Sequence, residues 1–180
     1  FHALESRTGF QLRLMKKMGY DLVCLGNHEF DFGPERLAEI IAISDNGGEI
    51  PAILLSNAIF NDTDPADDAL GKLYSENKIN RKLIIDRDGL KIGIFSLLGK
   101  DAVEVAPMSK PVKFSKQSSF ARKMVKDLKK QKCDIIICMS HSGIAKDKKG
   151  RWTGEDVKLA KSVRGIDIIV SGHTHTKLDK

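Results

Sequence analysis

Three segments of this chain repeat one arrangement: an aspartate, a run of mostly apolar residues, then a histidine or asparagine six or seven positions on, with glycine close by. Asp21 leads through Leu-Val-Cys-Leu to Gly26, Asn27 and His28. Asp134 leads to His141 within Met-Ser-His-Ser-Gly, and Asp167 leads to His173 and His175 within Ser-Gly-His-Thr-His. Short apolar runs bounded by polar residues and glycine are the pattern of strands buried on both faces. Of the five histidines, only His2 falls outside the repeat.

The segments between these runs read as helices. Apolar residues at helical spacing predict a helix over residues 5–18, ended by Gly19. A strand over 21–25 follows, then a helix from Pro34, which suits a first helical turn, to about Ser44, stopped by Asn46-Gly47-Gly48. A strand is expected over 52–55. Residues 57–76 are rich in Asp and Asn and read as an irregular surface insertion. Arg87-Asp88-Gly89 is a turn signal between strand-like runs at 82–86 and 91–97, which predicts a hairpin. After a long connection over 98–116 come a helix near 118–130, a strand at 134–139, a helix near 155–163 and a strand at 166–170. Strands alternating with helices define an α/β domain, a mixed or parallel sheet flanked by helices, and 180 residues suffice for one such domain.

The formal charge of +6 raises the question of nucleic acid, so the placement of the basic residues matters. One group lies at 122–132, opposite the apolar stripe Phe120, Ala121, Met124, Val125 and Leu128, as on a solvated helix face. The other, at 146–151 beside Trp152, falls in a loop that reads as surface, with a border to an anionic substrate as the rival reading. Neither has the interleaved aromatics of a nucleic-acid platform, so nucleic acid is not an expected partner. No stretch reaches the roughly 18 consecutive apolar residues of a membrane span. Cys24 and Cys138 sit inside apolar runs, where a free thiol behaves as a small hydrophobe. With Cys133 they make an odd count without metal-ligand spacing.

The repeat itself carries the chemistry. Open α/β sheets bind ligands beyond the carboxyl ends of their strands, where these histidines would gather. Gly26, Gly143 and Gly172 let the backbone turn sharply as it leaves each strand. Imidazoles joined by an amide oxygen suit a borderline divalent ion such as Zn, Mn, Fe or Ni. His173 and His175, two apart on what reads as an extended segment, would point the same way toward neighbouring metal positions. One histidine at a strand end is ordinarily just a hydrogen-bonded residue. Three coincident strand ends are not.

Gly26-Asn27-His28-Glu29-Phe30-Asp31-Phe32-Gly33, with Ser140-His141-Ser142-Gly143 and Gly172-His173-Thr174-His175, resembles the calcineurin-like metallophosphoesterase superfamily, in particular bacterial 5'-nucleotidases and UDP-sugar hydrolases. Leu55-Ser56-Asn57-Ala58 is similar to a strand-end segment of that family. The resemblance spans essentially the whole chain and implies a metallophosphoesterase-type α/β sandwich. It implies two divalent ions, with Asn27, His141 and His173 as ligands of one and His175 as a ligand of the other. His28 would be the catalytic histidine and Asp31 the acid that orients it. The implied substrate is a small phosphoester, above all a 5'-nucleotide. A cyclic-nucleotide or UDP-sugar pyrophosphate hydrolase, and a non-catalytic surface or binding module, are the alternatives. Exported or surface-attached placement follows from the same resemblance.

The family's first two motifs, Asp-x-His and Gly-Asp, do not occur in the sequence. The expectation is therefore that residues 1–180 are a catalytic domain incomplete at its N-terminus, without the family's C-terminal substrate domain. No substrate-binding residue can be assigned from the sequence.

Overall fold

The computed structural model describes residues 9–178. His2 and the first residues of the helix expected over 5–18 lie outside them. Helix α1 (Phe10–Lys17) buries Leu12, and the left-handed Gly19 (φ 92°) turns the chain into β1 (Leu22–Cys24). Helix α2 (Gly33–Asn46) carries Pro34 in its first turn, where a missing N–H costs no hydrogen bond, and buries Leu37, Ala38, Ile40 and Ile41. Strand β2 (Ala52–Leu54) pairs in parallel with β1, and β4 (Ile79–Asn80) pairs in parallel with β2 on its other side.

The second sheet is larger. The hairpin expected around residues 87–89 is present as β5 (Leu83–Arg87) and β6 (Leu90–Leu98), and the sheet continues in parallel through β8 (Ile135–His141) to β11 (Ile168–Ser171). Helices α5 (Gln117–Lys130) and α6 (Glu155–Ser162) cover one face of it. Between β8 and α6 the basic segment at 146–151 makes the turn end of a short hairpin, β9 (Ala145–Lys146) with β10 (Trp152–Thr153). The stripe Phe120, Ala121, Met124, Val125 and Leu128 packs with Phe95, Leu97, Ile136, Cys138 and Leu159 into one core, while the lysines of α5 face solvent. Each large apolar side chain so buried stabilises the fold by about 1.5–3 kcal/mol. A second core gathers β1, β2 and the helices over them around Phe30, Ile41, Ile53 and Leu55.

Residues 57–76 depart from the reading of a surface insertion. They hold β3 (Ala58–Ile59) and α3 (Asp68–Ser75), with Asn57, Asp67 and Leu70 fully buried. The buried Asp67 accepts from Asn61 N through Oδ2 at 3.1 Å, and the exposed Asp64 caps the next turn, its Oδ1 accepting from Ala66 N at 3.0 Å. The connection over 98–116 likewise holds α4 (Lys100–Glu104) and β7 (Lys113–Phe114), which pairs with β3.

The two sheets are joined where their strands end. Ser96 N donates to Ser56 Oγ at 2.7 Å and Ser56 N donates to Ser96 Oγ at 3.1 Å. Beside them Asn57 Nδ2 donates to Leu98 O at 3.0 Å and to Ser115 O at 3.1 Å, while Leu98 N donates to Asn57 Oδ1 at 3.0 Å. Leu98 is the register partner of His141, so this junction sits next to the first histidine of the site. All three cysteines are free thiols. Burial pushes the Cys24 thiol up to about 11 and that of Cys138 well above its ordinary range, as expected of small buried hydrophobes.

Candidate metal centre

Asn27 opens a single 3-10 turn over Asn27–Phe30 directly after β1. Glu29 reaches back so that its Oε2 accepts from Gly26 N at 2.7 Å, and Phe30 is sealed in the core against the edge of Phe114. This turn sends Asn27 inward, where it is 3 % exposed, and leaves His28 outward. Gly26 has a specific use: a Cβ there would lie 2.7–2.9 Å from three atoms of the His141 ring.

His141 is the last residue of β8, and its carbonyl accepts from Gly99 N at 3.1 Å. Its Nε2 lies 2.8 Å from Asn27 Oδ1, and His173 Nδ1 lies 3.2 Å from the same oxygen. The two imidazole rings are 5.1 Å apart, centroid to centroid. Burial, and then the neighbouring His173, lower the His141 pKa, which favours the neutral imidazole that ligates metals. Donors at about 2.1 Å from a common ion, at angles of 90–109°, stand about 3.0–3.4 Å from one another. The 3.2 Å separation falls within that range and the 2.8 Å separation, a hydrogen-bond length, lies just below it, so the amide oxygen and the two imidazole nitrogens converge as a candidate ligand set. Among the described residues no group of three or more His, Cys, Asp or Glu side chains gathers to hold a metal ion, so this set of three depends on the Asn27 amide.

His28 is exposed, and its Nδ1 lies 3.0 Å from Asp31 Oδ2 and 3.3 Å from Oδ1. A carboxylate at Nδ1 holds the proton there and leaves Nε2 as the nitrogen available for proton transfer. The i,i+3 spacing in a tight turn brings this pair together.

The segment after β11 corrects the expectation of an extended chain. His173 (φ 86°) and His175 (φ 51°) both adopt left-handed backbone, and the strand has already ended at Ser171. The cause is Thr174 between them, whose Oγ1 donates to Ile144 O at 2.7 Å and accepts from Ile144 N at 3.2 Å. Gly143 makes room for it, since a Cβ there would come within 2.3 Å of the threonine methyl. Pinning Thr174 bends the chain on either side, at a backbone cost of about 1–3 kcal/mol per strained residue. His173 thereby joins Asn27 and His141. His175 and His28 stand outside that trio, though both are close enough to repel a proton from His141.

Sequence reading passed over the polar groups behind the histidines. Asp156, Ser140, Ser142, Ser171 and Gln117 form one hydrogen-bonded network under the two strand ends. The signal was the serine on each side of His141 and the Ser-Gly before His173, hydroxyls too small and too regularly placed to be loop filler.

A family model for calcineurin-like phosphoesterases matches residues 5–177. The trifunctional nucleotide phosphoesterase protein YfkN of Bacillus subtilis is 29 % identical over 94 % of this chain and 12 % of its own length. A probable 5'-nucleotidase of Treponema pallidum is 32 % identical over 90 % of the chain and 24 % of its own length. Among solved structures, the NAD nucleotidase of Haemophilus influenzae superposes with a TM-score of 0.71 at 28 % identity, covering 97 % of this chain and 27 % of that one. The chain thus spans about a quarter or less of the length of these relatives.

Proposed function

Since the chain belongs to the calcineurin-like phosphoesterase family, whose members use divalent metal ions, we propose that it is the metal-binding part of a hydrolase of phosphate esters, with 5'-nucleotides as its substrates. The observation that carries this reading is the convergence of His141 Nε2 and His173 Nδ1 on the shared amide oxygen Asn27 Oδ1, at 2.8 and 3.2 Å. These three would hold one ion, and His175 would contribute to a second. Bound divalent ions supply Lewis-acid polarisation of the phosphoryl group and a hydroxide at neutral pH.

The chain's own residues do the rest. Burial keeps His141 neutral, so its lone pair is free to ligate. Asp31 holds the His28 ring by Nδ1–H; in its doubly protonated form the ring would pass the Nε2 proton to the leaving oxygen as the bond from phosphorus to that oxygen breaks and one to hydroxide forms, returning to the Nδ1–H tautomer. His28 is exposed and stands outside the ligand set, as a residue meeting substrate would. Residues 5–177 are read as catalytic domain throughout, and surface or exported placement is proposed from the relatives; no helix among the described residues is long and apolar enough to cross a membrane.

The test uses the full-length gene product with Mn or Zn, assayed on nucleoside monophosphates, a nitrophenyl ester and a dinucleotide, the last because one solved relative is a nucleotidase of NAD. His28→Ala is expected to lower kcat by about 10²–10⁴-fold, the usual contribution of a general acid, with metal affinity unchanged. Loss of metal together with turnover would identify His28 as a ligand instead. Absence of metal-dependent turnover across the whole panel would refute the hydrolase reading.

A further inference from the structure

Asp156 is a carboxylate 3 % exposed in the first turn of α6. An acidic residue there ordinarily serves its own helix, by accepting from the first N–H groups and facing the positive end of the dipole. Asp156 does something different: its hydrogen bonds go to other segments. Ser140 Oγ donates to its Oδ1 at 2.5 Å, Ser171 Oγ donates to its Oδ2 at 2.5 Å, and Gly143 N donates to Oδ2 at 3.0 Å. Its own backbone N–H donates to Gly143 O at 3.2 Å, so the loop after His141 is held at both amide groups.

The placement of these partners carries the inference. Ser140 and Ser171 are register partners at the carboxyl ends of β8 and β11. Ser140 immediately precedes His141, Gly143 follows it by two residues, and Ser171 precedes His173 by two. One buried carboxylate therefore grips both strand ends that deliver the imidazoles. Because Ser140 Oγ gives its proton to Asp156, Ser142 Oγ supplies the proton of the 2.8 Å bond between the two serines and in turn accepts from Gln117 Nε2. The chain of donors runs in one sense, so every hydroxyl has a fixed orientation. Charge-assisted bonds of this kind are roughly twice as strong as neutral ones.

We propose that Asp156 is the positioning residue of the metal centre. By holding Ser140, Gly143 and Ser171 it sets the separation of His141 and His173 before any ion arrives. Without it the strand ends keep their backbone pairing and the Thr174–Ile144 bonds but lose the side-chain anchor they share, and the two imidazoles would sample a wider range of orientations. Outer groups that orient metal ligands in this way typically carry a 10–100-fold effect on metal affinity. The proposal rests on the metal-centre reading above, and its test is built so that the two can fail separately.

The experiment compares Asp156→Ala, Asp156→Asn and, as a control for general destabilisation, Leu128→Ala, in the core under α5 beside Gly93 near the start of β6 rather than at the strand ends. Asparagine keeps an acceptor for Gly143 N and Ser171 Oγ and presents an N–H to Ser140 Oγ, so it conserves the grip while losing the charge. Two readouts are taken: Mn affinity by calorimetry, and the ring nitrogen resonances of His141 and His173 in the metal-free protein. Asp156→Ala is expected to weaken Mn binding at least tenfold and to shift or broaden both ring resonances, with Asp156→Asn restoring most of each and Leu128→Ala leaving both unchanged. Wild-type ring resonances in metal-free Asp156→Ala would overturn the proposal whether or not the wild type binds metal. Equal loss of affinity in Leu128→Ala would overturn it as well. A wild type that binds no metal, with the two resonances still dependent on Asp156, would sink the metal-centre reading and leave the positioning role standing.

Discussion

Replacing Asn57 by alanine tests how the two sheets are held together next to the site. The side chain is fully buried and makes three hydrogen bonds, to Leu98 O, Ser115 O and from Leu98 N, at 3.0, 3.1 and 3.0 Å. Alanine leaves those three backbone groups without partners and opens a small void. Each such bond contributes about 0.5–1.5 kcal/mol net, so the expected loss is about 3 kcal/mol, with the void adding to the upper side. For a domain of this size that corresponds to a fall in Tm of about 6–12 °C. Urea unfolding followed by far-UV circular dichroism measures it, with an unchanged m-value as the sign that only stability moved. Asn61→Ala is the control: Asn61 Oδ1 accepts only from Thr63 on an exposed turn, and its loss should stay within about 0.5 kcal/mol. Since Leu98 neighbours His141 in register, Asn57→Ala should also broaden the His141 ring resonances. A loss under about 1 kcal/mol, or the same loss in Asn61→Ala, would refute the claim that this amide joins the sheets.

Other perturbations reach the site more directly. Gly26→Ala should displace the His141 ring, because the new Cβ would stand 2.7 Å from it, and should lower Mn affinity about tenfold with little change in Tm, since the backbone there suits any residue. His141 should titrate below the ordinary histidine value of 6.5 in the metal-free protein, as followed by proton NMR. A histidine whose folded pKa is depressed takes up protons more readily unfolded. Its contribution to stability is therefore present above pH 6.5 and is lost as pH falls from there through the folded pKa; a titration midpoint at or above 6.5 would contradict the burial argument. Cys24 and Cys138 should stay unreacted with iodoacetamide at pH 8 until the chain unfolds, as read by mass spectrometry, because burial raises both thiols far above that pH.

Much of this molecule is legible in its sequence. The repeat of aspartate, apolar run and ligand marked β1, β8 and β11 as strands, although β11, at the end of its sheet, has Ile168 and Val170 exposed instead of the burial on both faces that the apolar run implied. The stripe at 120, 121, 124, 125 and 128 marked the inner face of α5, since helical periodicity is a local property of the chain. Residues 57–76 misled, because polarity alone does not distinguish a solvated Asp or Asn from one whose hydrogen bonds are internal, as those of Asp67 and Asn57 are.

What the sequence by itself determined, then, is the kind of donor set: an amide and imidazoles delivered at strand ends, with glycines where the chain must turn. It could not determine which of those donors meet. Asn27 and His173 are separated by 146 positions, and only the parallel pairing of β8 with β11 and the inward turn after β1 bring both to His141. Nor could it show that Asp156 ties the two strand ends or that Thr174 bends the chain between two histidines. Those contacts are made between segments distant in sequence, and their geometry exists only once the sheets have packed.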